Sequence, residues 1–389
     1  MKPSRSALPA APPAAAAGPA RSWVHFWFTP VDPVGLHVLR LLAGLLFLAW
    51  LLPFAGHLDS LFGRDGWLDR QGYADLAAYA ESAQLPEWLR PPVGWSVLYL
   101  VNANSTALTA FYWASVAVLA LFTLGVAPRL TAVLAWVIVV SFTANPVLYY
   151  PEGDTFLKVL AFYLMIGCVL VGQRDRQRLP ARLLGLAWPI TRAVGRPSLG
   201  ANLALRLLQV HFAIIIVTNG LHKLQFGDWW SGVALWYPLH PPFATTLAQA
   251  QAQAPHRESY LFVLSAAAYA MLVWQIGFPL FAWRRKLRVV LIGGALIGWL
   301  GLALIYQLPL LGPALLIGCL SFVTADEWHR VFGLLARRPG LRWLARWLPD
   351  ERAEEPGIAG IRKDPAASPV PSEIRMAKSE SIMSRTPGA

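Results

Sequence analysis

Charge is what this chain is short of. Asp, Glu, Lys and Arg make up 14% of its 389 residues, against about 25% in a soluble globular domain. That shortage excludes an ordinary water-soluble fold, and the 56% hydrophobic content marks a membrane protein. Cysteine is almost missing too. Cys168 and Cys319 both lie inside apolar runs and form no CxxC pattern, so they read as packing residues with no disulfide or metal role. The chain has no phosphate loop, dinucleotide glycine fingerprint, HExxH zinc helix or serine elbow. Residues 1–20 lack a compact apolar core before a cleavage site, so no secretory signal is expected. Acidic residues are outnumbered, 21 to 33 Lys and Arg, for a formal charge of +12. Nucleic acid is not the partner this implies. The arginines sit in loops between apolar spans, where they set topology and meet anionic lipid.

What the chain does have is long apolar runs, several meeting the requirement of about 20 residues per span. An all-α polytopic bundle is expected, with spans at about 35–56, 107–126, 130–145, 154–172, 202–222, 259–282, 288–306 and 308–324. The third and last are short, so tilt or burial in protein must compensate. Trp23 to Pro30 reads as an aromatic interfacial segment leading into the first span. Residues 1–20 and 350–389, rich in Ala, Pro, Ser or charge, are expected to be disordered tails. Between them lie one membrane domain over 21–330 and a basic juxtamembrane segment over 331–349.

Loop charge sets the orientation. Asp59, Asp65, Asp69, Asp75, Glu81 and Glu87 make the first long loop acidic. Arginines crowd 174–196, then 284–288, then 330–346. Eight spans with both termini inside put every basic block on the cytoplasmic face of the cell (inner) membrane.

That topology sends several polar groups to the opposite leaflet. The fifth span ends outward in Asn219-Gly220-Leu221-His222-Lys223, followed by Asp228-Trp229-Trp230. Asp65, Asn145 and Asp154 are delivered to the same side, where a polar cavity between helices is expected around Lys223. Asp154 and Lys158, four residues apart, share a helical face. They suit either a structural ion pair or charge compensation in that cavity. Lys223 has two readings as well. An interfacial lysine snorkels its ammonium to water; a desolvated one can act as a base. Intramembrane ionisable groups are costly enough that the second reading stands as a site hypothesis. His211 and His222 share a face but lie about 16 Å apart along the helix, too far for one metal. For His211 a hydrogen bond between packed helices is expected. Arg40 and Arg206 are expected to snorkel or pair near the cytoplasmic ends of their spans, and Pro279, Pro309 and Pro313 to interrupt later ones.

The run NGLHKLQFGDWWSGVALWYPL, Asn219 to Leu239, resembles the signature of the horizontally transferred transmembrane (HTTM) domain family, which includes the vitamin K-dependent gamma-carboxylase. The similarity takes in the Asp65-Gly66 loop, Asn145 to Asp154, and Asp326-Glu327-Trp328, and spans about residues 20–330. In the carboxylase, the second residue of a basic pair is the base deprotonated during vitamin K hydroquinone oxygenation. It matches Lys223 here, with His222 in place of the first. The resemblance implies a catalytic Lys223 assisted by His222, and a quinol of the vitamin K hydroquinone kind as cofactor. Three functions are compatible with the residues. One is proton abstraction from a lipophilic molecule or secreted peptide, the second a non-enzymatic helper in peptide export or maturation, the third a transporter.

Overall fold

The computed structural model describes residues 19–64, 66, 75, 78–79, 81–84, 96–144, 151–171, 197–240 and 257–338. The expected tails lie outside them except for Pro19 and Ala20, as does the arginine-rich segment 174–196. Regular structure among the described residues is helical, with one isolated antiparallel bridge between Val31 and Ser198. In chain order the longer helices begin with α1 (Pro19–Phe28), α2 (Val34–Leu51), α3 (Ser105–Leu124), α4 (Pro128–Thr143) and α5 (Pro151–Leu170). They continue with α6 (Leu199–Lys223), α7 (Arg257–Phe281), α8 (Arg288–Leu304), α9 (Leu311–Leu320) and α10 (Ala325–Ala336).

Six described stretches are long and apolar enough to cross a membrane: Val34–Phe62, Ser105–Leu124, Gly153–Leu170, Leu199–Lys223, Glu258–Phe281 and Arg285–Leu304. The other two apolar helices are shorter, α4 with 16 residues and α9 with 10. At 1.5 Å per residue α9 is about 15 Å long, half the hydrocarbon thickness of a bilayer.

Local chemistry sets the helix ends. The Asn104 side chain accepts from the amides of Thr106 and Ala107 and starts α3, which stops at Gly125 in the left-handed region, φ 79°. Pro128 opens α4, where its missing N–H is not needed. Thr324 and Glu327 form a reciprocal capping box on α10. Of the three expected proline interruptions, none divides a helix. Pro279 lies inside α7 two residues from its end, Pro309 precedes α9, and Pro313 sits in the first turn of α9.

α2 is central, packing on α3, α5, α9 and α10, while α6 packs between α5 and α7. Phe212 of α6 is fully buried and holds the middle of this half. Its ring lies 5.2 Å from Phe156, 5.5 Å from Phe278 and 6.5 Å from Phe322.

Arg40 does not snorkel. It is 1% exposed, and its Nη1 donates to the carbonyls of Phe122 and Thr123 at the end of α3. A helix C-terminus offers orphan carbonyls and the negative end of the dipole, so the guanidinium finds its partners inside the bundle. Arg206 stays half-buried, donating to Gln209 at 2.9 Å and lying 4.2 Å over the Phe26 ring of α1.

Candidate functional site around Lys223

Helix α6 is well suited to carry a polar group to its end. The Ser198 side chain accepts from the Ala201 amide and starts it, and 25 residues later Lys223 closes it. The helix runs antiparallel to α5. Tyr163 Oη meets His211 Nδ1 at 3.0 Å, and a side chain on Gly167 would touch Ala204. His211 therefore makes the expected inter-helix bond. The same register sets Asp154, buried at the start of α5, level with the last turns of α6.

On its other side α6 meets α7. Gly220 makes this contact close: a Cβ there would lie 2.9 Å from Gln275 Cβ and 3.3 Å from the Ile276 nitrogen. The approach brings Gln275, which is buried, beside the end of α6. Lys223 Nζ donates to Gln275 Oε1 at 3.0 Å. The ammonium also lies 5.3 Å from the centre of the Trp229 ring, within cation–π range. Lys223 itself is half-buried.

Trp229 is held in place by a folded-back segment. After Lys223 the chain makes two short helical turns, Gly227–Trp230 and Trp236–Leu239, and lies along the first half of α7. Tyr269 Oη donates to the Trp230 carbonyl at 2.6 Å, and Ser265 Oγ to the Gly232 carbonyl at 3.1 Å. Leu235, Leu264 and Ala268 form a small apolar cluster beneath, with Trp229, Trp236 and Leu239 packed on it. Gly232 has φ 75° and would clash with Ser265 if it carried a Cβ, so both its turn and its contact require glycine.

The remaining sequence candidates differ in burial. Asn219 is half-buried one turn before Lys223. His222 is exposed and meets the Phe226 ring edge-on, centroids 5.1 Å apart. Asp228 is exposed. Asp154 is buried and Lys158 half-buried on α5. Asp65 and Asn145 lie outside the described residues. Among the described residues no three His, Cys, Asp or Glu side chains are grouped to hold a metal. Sequence reasoning missed Gln275. The signal was present, since it is the one amide in the apolar run from Tyr260 to Phe281, and a polar residue at that depth needs a partner.

A second polar cluster occupies the other half of α6. Gln209 Nε2 donates to the Ser321 carbonyl at 2.7 Å, and Trp283 Nε1 donates to Gln209 Oε1 at 3.2 Å. Asn202 Nδ2 donates to the carbonyls of Phe26 and Trp27, which ties α1 to the bundle. These bonds serve packing, joining α6 to α1, to Ser321 after α9 and to Trp283 after α7. No family model matches the chain, and neither does any curated protein or solved structure.

Proposed function

We propose that the chain is an HTTM-like integral membrane protein that crosses the inner membrane eight times with both termini cytoplasmic. We take Lys223 to be its reactive group, at an outward-facing polar site. There its neutral amine takes a proton from a lipophilic or peptide substrate, which leaves an ammonium beside the substrate anion. The observation that carries this reading is the pair of contacts on Nζ. An amide carbonyl and an aromatic face both interact more strongly with an ammonium than with an amine. Gln275 and Trp229 therefore fix the position of Nζ and are placed to hold the ammonium that forms once the proton is taken. Both are held from outside the site, Gln275 by the Gly220 contact and Trp229 by the folded-back segment, so the geometry is set before substrate binds.

A quinol fits this chemistry. Its ring is lipophilic, and a phenolic O–H supplies the proton, giving quinolate and ammonium. The test is an anaerobic titration of the purified protein with a short-chain quinol, following the ultraviolet band of the quinolate. Wild type is expected to ionise the bound quinol, Lys223→Ala to bind without ionising it, and Gln275→Leu to ionise a smaller share. Equal ionisation by wild type and Lys223→Ala, or quinol bound by wild type in its neutral form, removes the reading.

One observation favours the second reading, a non-enzymatic helper for a secreted peptide. His222 and Asp228 are both exposed beside Lys223 and free to meet a partner at the surface. On that reading Lys223→Ala is silent, and Asp228→Lys abolishes peptide export or maturation.

A further inference from the structure

A groove of about 560 Å³ lies between α7 and α8, on a different face of α7 from Gln275. Val273, Trp274, Gly277 and Leu280 line it from α7 and Val290 faces them from α8. From Ala270 to Phe281 the lining face covers 11 residues of helical rise, about 16 Å. Its floor is built. Trp274 Nε1 donates to the Val290 carbonyl at 3.1 Å, and the indole lies so close over Gly294 that a Cβ there would sit 2.1 Å from it. Its width comes from Gly277, where an added Cβ would meet nothing nearer than Phe281 at 3.7 Å. The rim is apolar and open, with Leu280 74% and Val273 71% exposed.

Charge distinguishes one end. The turn between the helices carries Arg284, Arg285, Lys286 and Arg288. Arg285 and Arg288 both reach Glu327 at 3.5 Å. Arg284 lines the end of the groove, exposed, and among the described residues it makes no ion pair. An apolar slot that ends at a cation without a carboxylate complements one kind of molecule: a phospholipid with a chain along the slot and an anionic headgroup at its mouth.

We propose that this groove is a binding site for one anionic phospholipid of the leaflet that holds Arg284, with an acyl chain against Trp274 and Gly277 and the headgroup phosphate on Arg284. A cation near a headgroup contributes about 1 kcal/mol, close to a five-fold preference. The test uses the purified full chain in detergent, with dioleoyl phosphatidylglycerol or dioleoyl phosphatidylcholine added back and bound lipid counted by native mass spectrometry. Wild type is expected to retain one phosphatidylglycerol about five-fold better than phosphatidylcholine. Arg284→Gln should remove that preference, and Lys286→Gln, which alters a cation outside the groove, should keep it. Gly277→Leu should cut retention of both lipids, and Leu280→Trp, which fills the slot from its exposed rim, serves the same purpose if the first variant folds poorly. Equal retention of the two lipids by wild type, equal loss in the Arg284 and Lys286 variants, or unchanged binding in both filled variants would each identify the lipid as annular and overturn the site. A dimer mass that the filled variants abolish would also overturn it, giving the groove to a second copy of the chain.

Discussion

Replacing Gln275 by leucine asks whether the Lys223 contact carries energy. The substitution is close in volume at a buried position, so the cavity and strain it introduces are small. What is lost is a 3.0 Å hydrogen bond from a charged donor, which typically contributes about 1.5–3 kcal/mol. Lys223 is half-buried, and water can replace part of the acceptor, so about 1.5 kcal/mol is the better figure. Lys223→Met removes the other partner and leaves a buried carbonyl unmatched, at a similar cost of about 1–3 kcal/mol. The double variant leaves neither group stranded. It should therefore be less destabilised than the sum of the singles, by a coupling of about 1 kcal/mol or more. Reversible unfolding of the three variants and wild type in mixed detergent micelles measures the cycle. Single effects that add to within about 0.5 kcal/mol would mean that the two side chains do not interact. Lys223 would then be an ordinary interfacial anchor, and the chemical reading of the site would lose its basis.

Gly220→Val should push α7 off α6, because the nearest atoms stand 2.9–3.3 Å from the new Cβ. A loss of about 1–3 kcal/mol in stability is expected from such overpacking, along with the loss of any ionisation the site performs; an undiminished midpoint would show that the helices are not in contact there. Arg40→Ala should be far more damaging than Arg40→Met. The first leaves a cavity and unsatisfied carbonyls at the end of α3, about 3–5 kcal/mol, whereas the second fills the space without a buried charge. Equal thermal midpoints for the two variants would contradict the buried placement. Glu327→Gln removes the charge that pairs with both Arg285 and Arg288 while keeping an acceptor for the capping box of α10. It should raise proteolytic cleavage within 325–336, with high salt mimicking the effect in wild type.

The helices were legible because an apolar run of span length has little choice but to become one. The eight expected segments fall on helices α2 to α9, with ends a few residues away, and six of these stretches are long and apolar enough to cross a membrane. Lys223 was legible for a related reason, since a cation in such a run stands out. Its partners were not. His222 adjoins it in sequence, but neighbouring residues on a helix point about 100° apart, and His222 turns to Phe226 and water. Gln275, one partner that reaches Nζ, lies 52 residues away on another helix, placed by the close approach at Gly220. Which helices pack is a tertiary fact that hydropathy does not carry. Arg40 shows the same limit. Its place near a span end suggests snorkelling or pairing, while the acceptors that keep it inside come from the end of α3, 82 residues on.

The layout of α6 also bears on whether its polar residues mark a path or a site. Gln209 and Lys223 lie 14 residues apart, about 21 Å along the axis. Between them Phe212 is fully buried, with Phe156, Phe278 and Phe322 around it. A polar solute moving along α6 would have to part four packed rings from α5, α6, α7 and the end of α9. Gln209 below the rings is also committed, bonded to Arg206, Ser321 and Trp283. Two separated clusters with a closed aromatic layer between them suit a site at one end of the bundle better than transport. Phe212→Ala tests the point, because it opens the layer at a cost of about 3–5 kcal/mol. On the site reading it lowers the thermal midpoint and leaves quinol ionisation at Lys223 in the surviving folded protein unchanged. If Phe212→Ala instead made vesicles carrying the protein permeable to small polar solutes that wild type excludes, the layer would be a gate and the path reading would return.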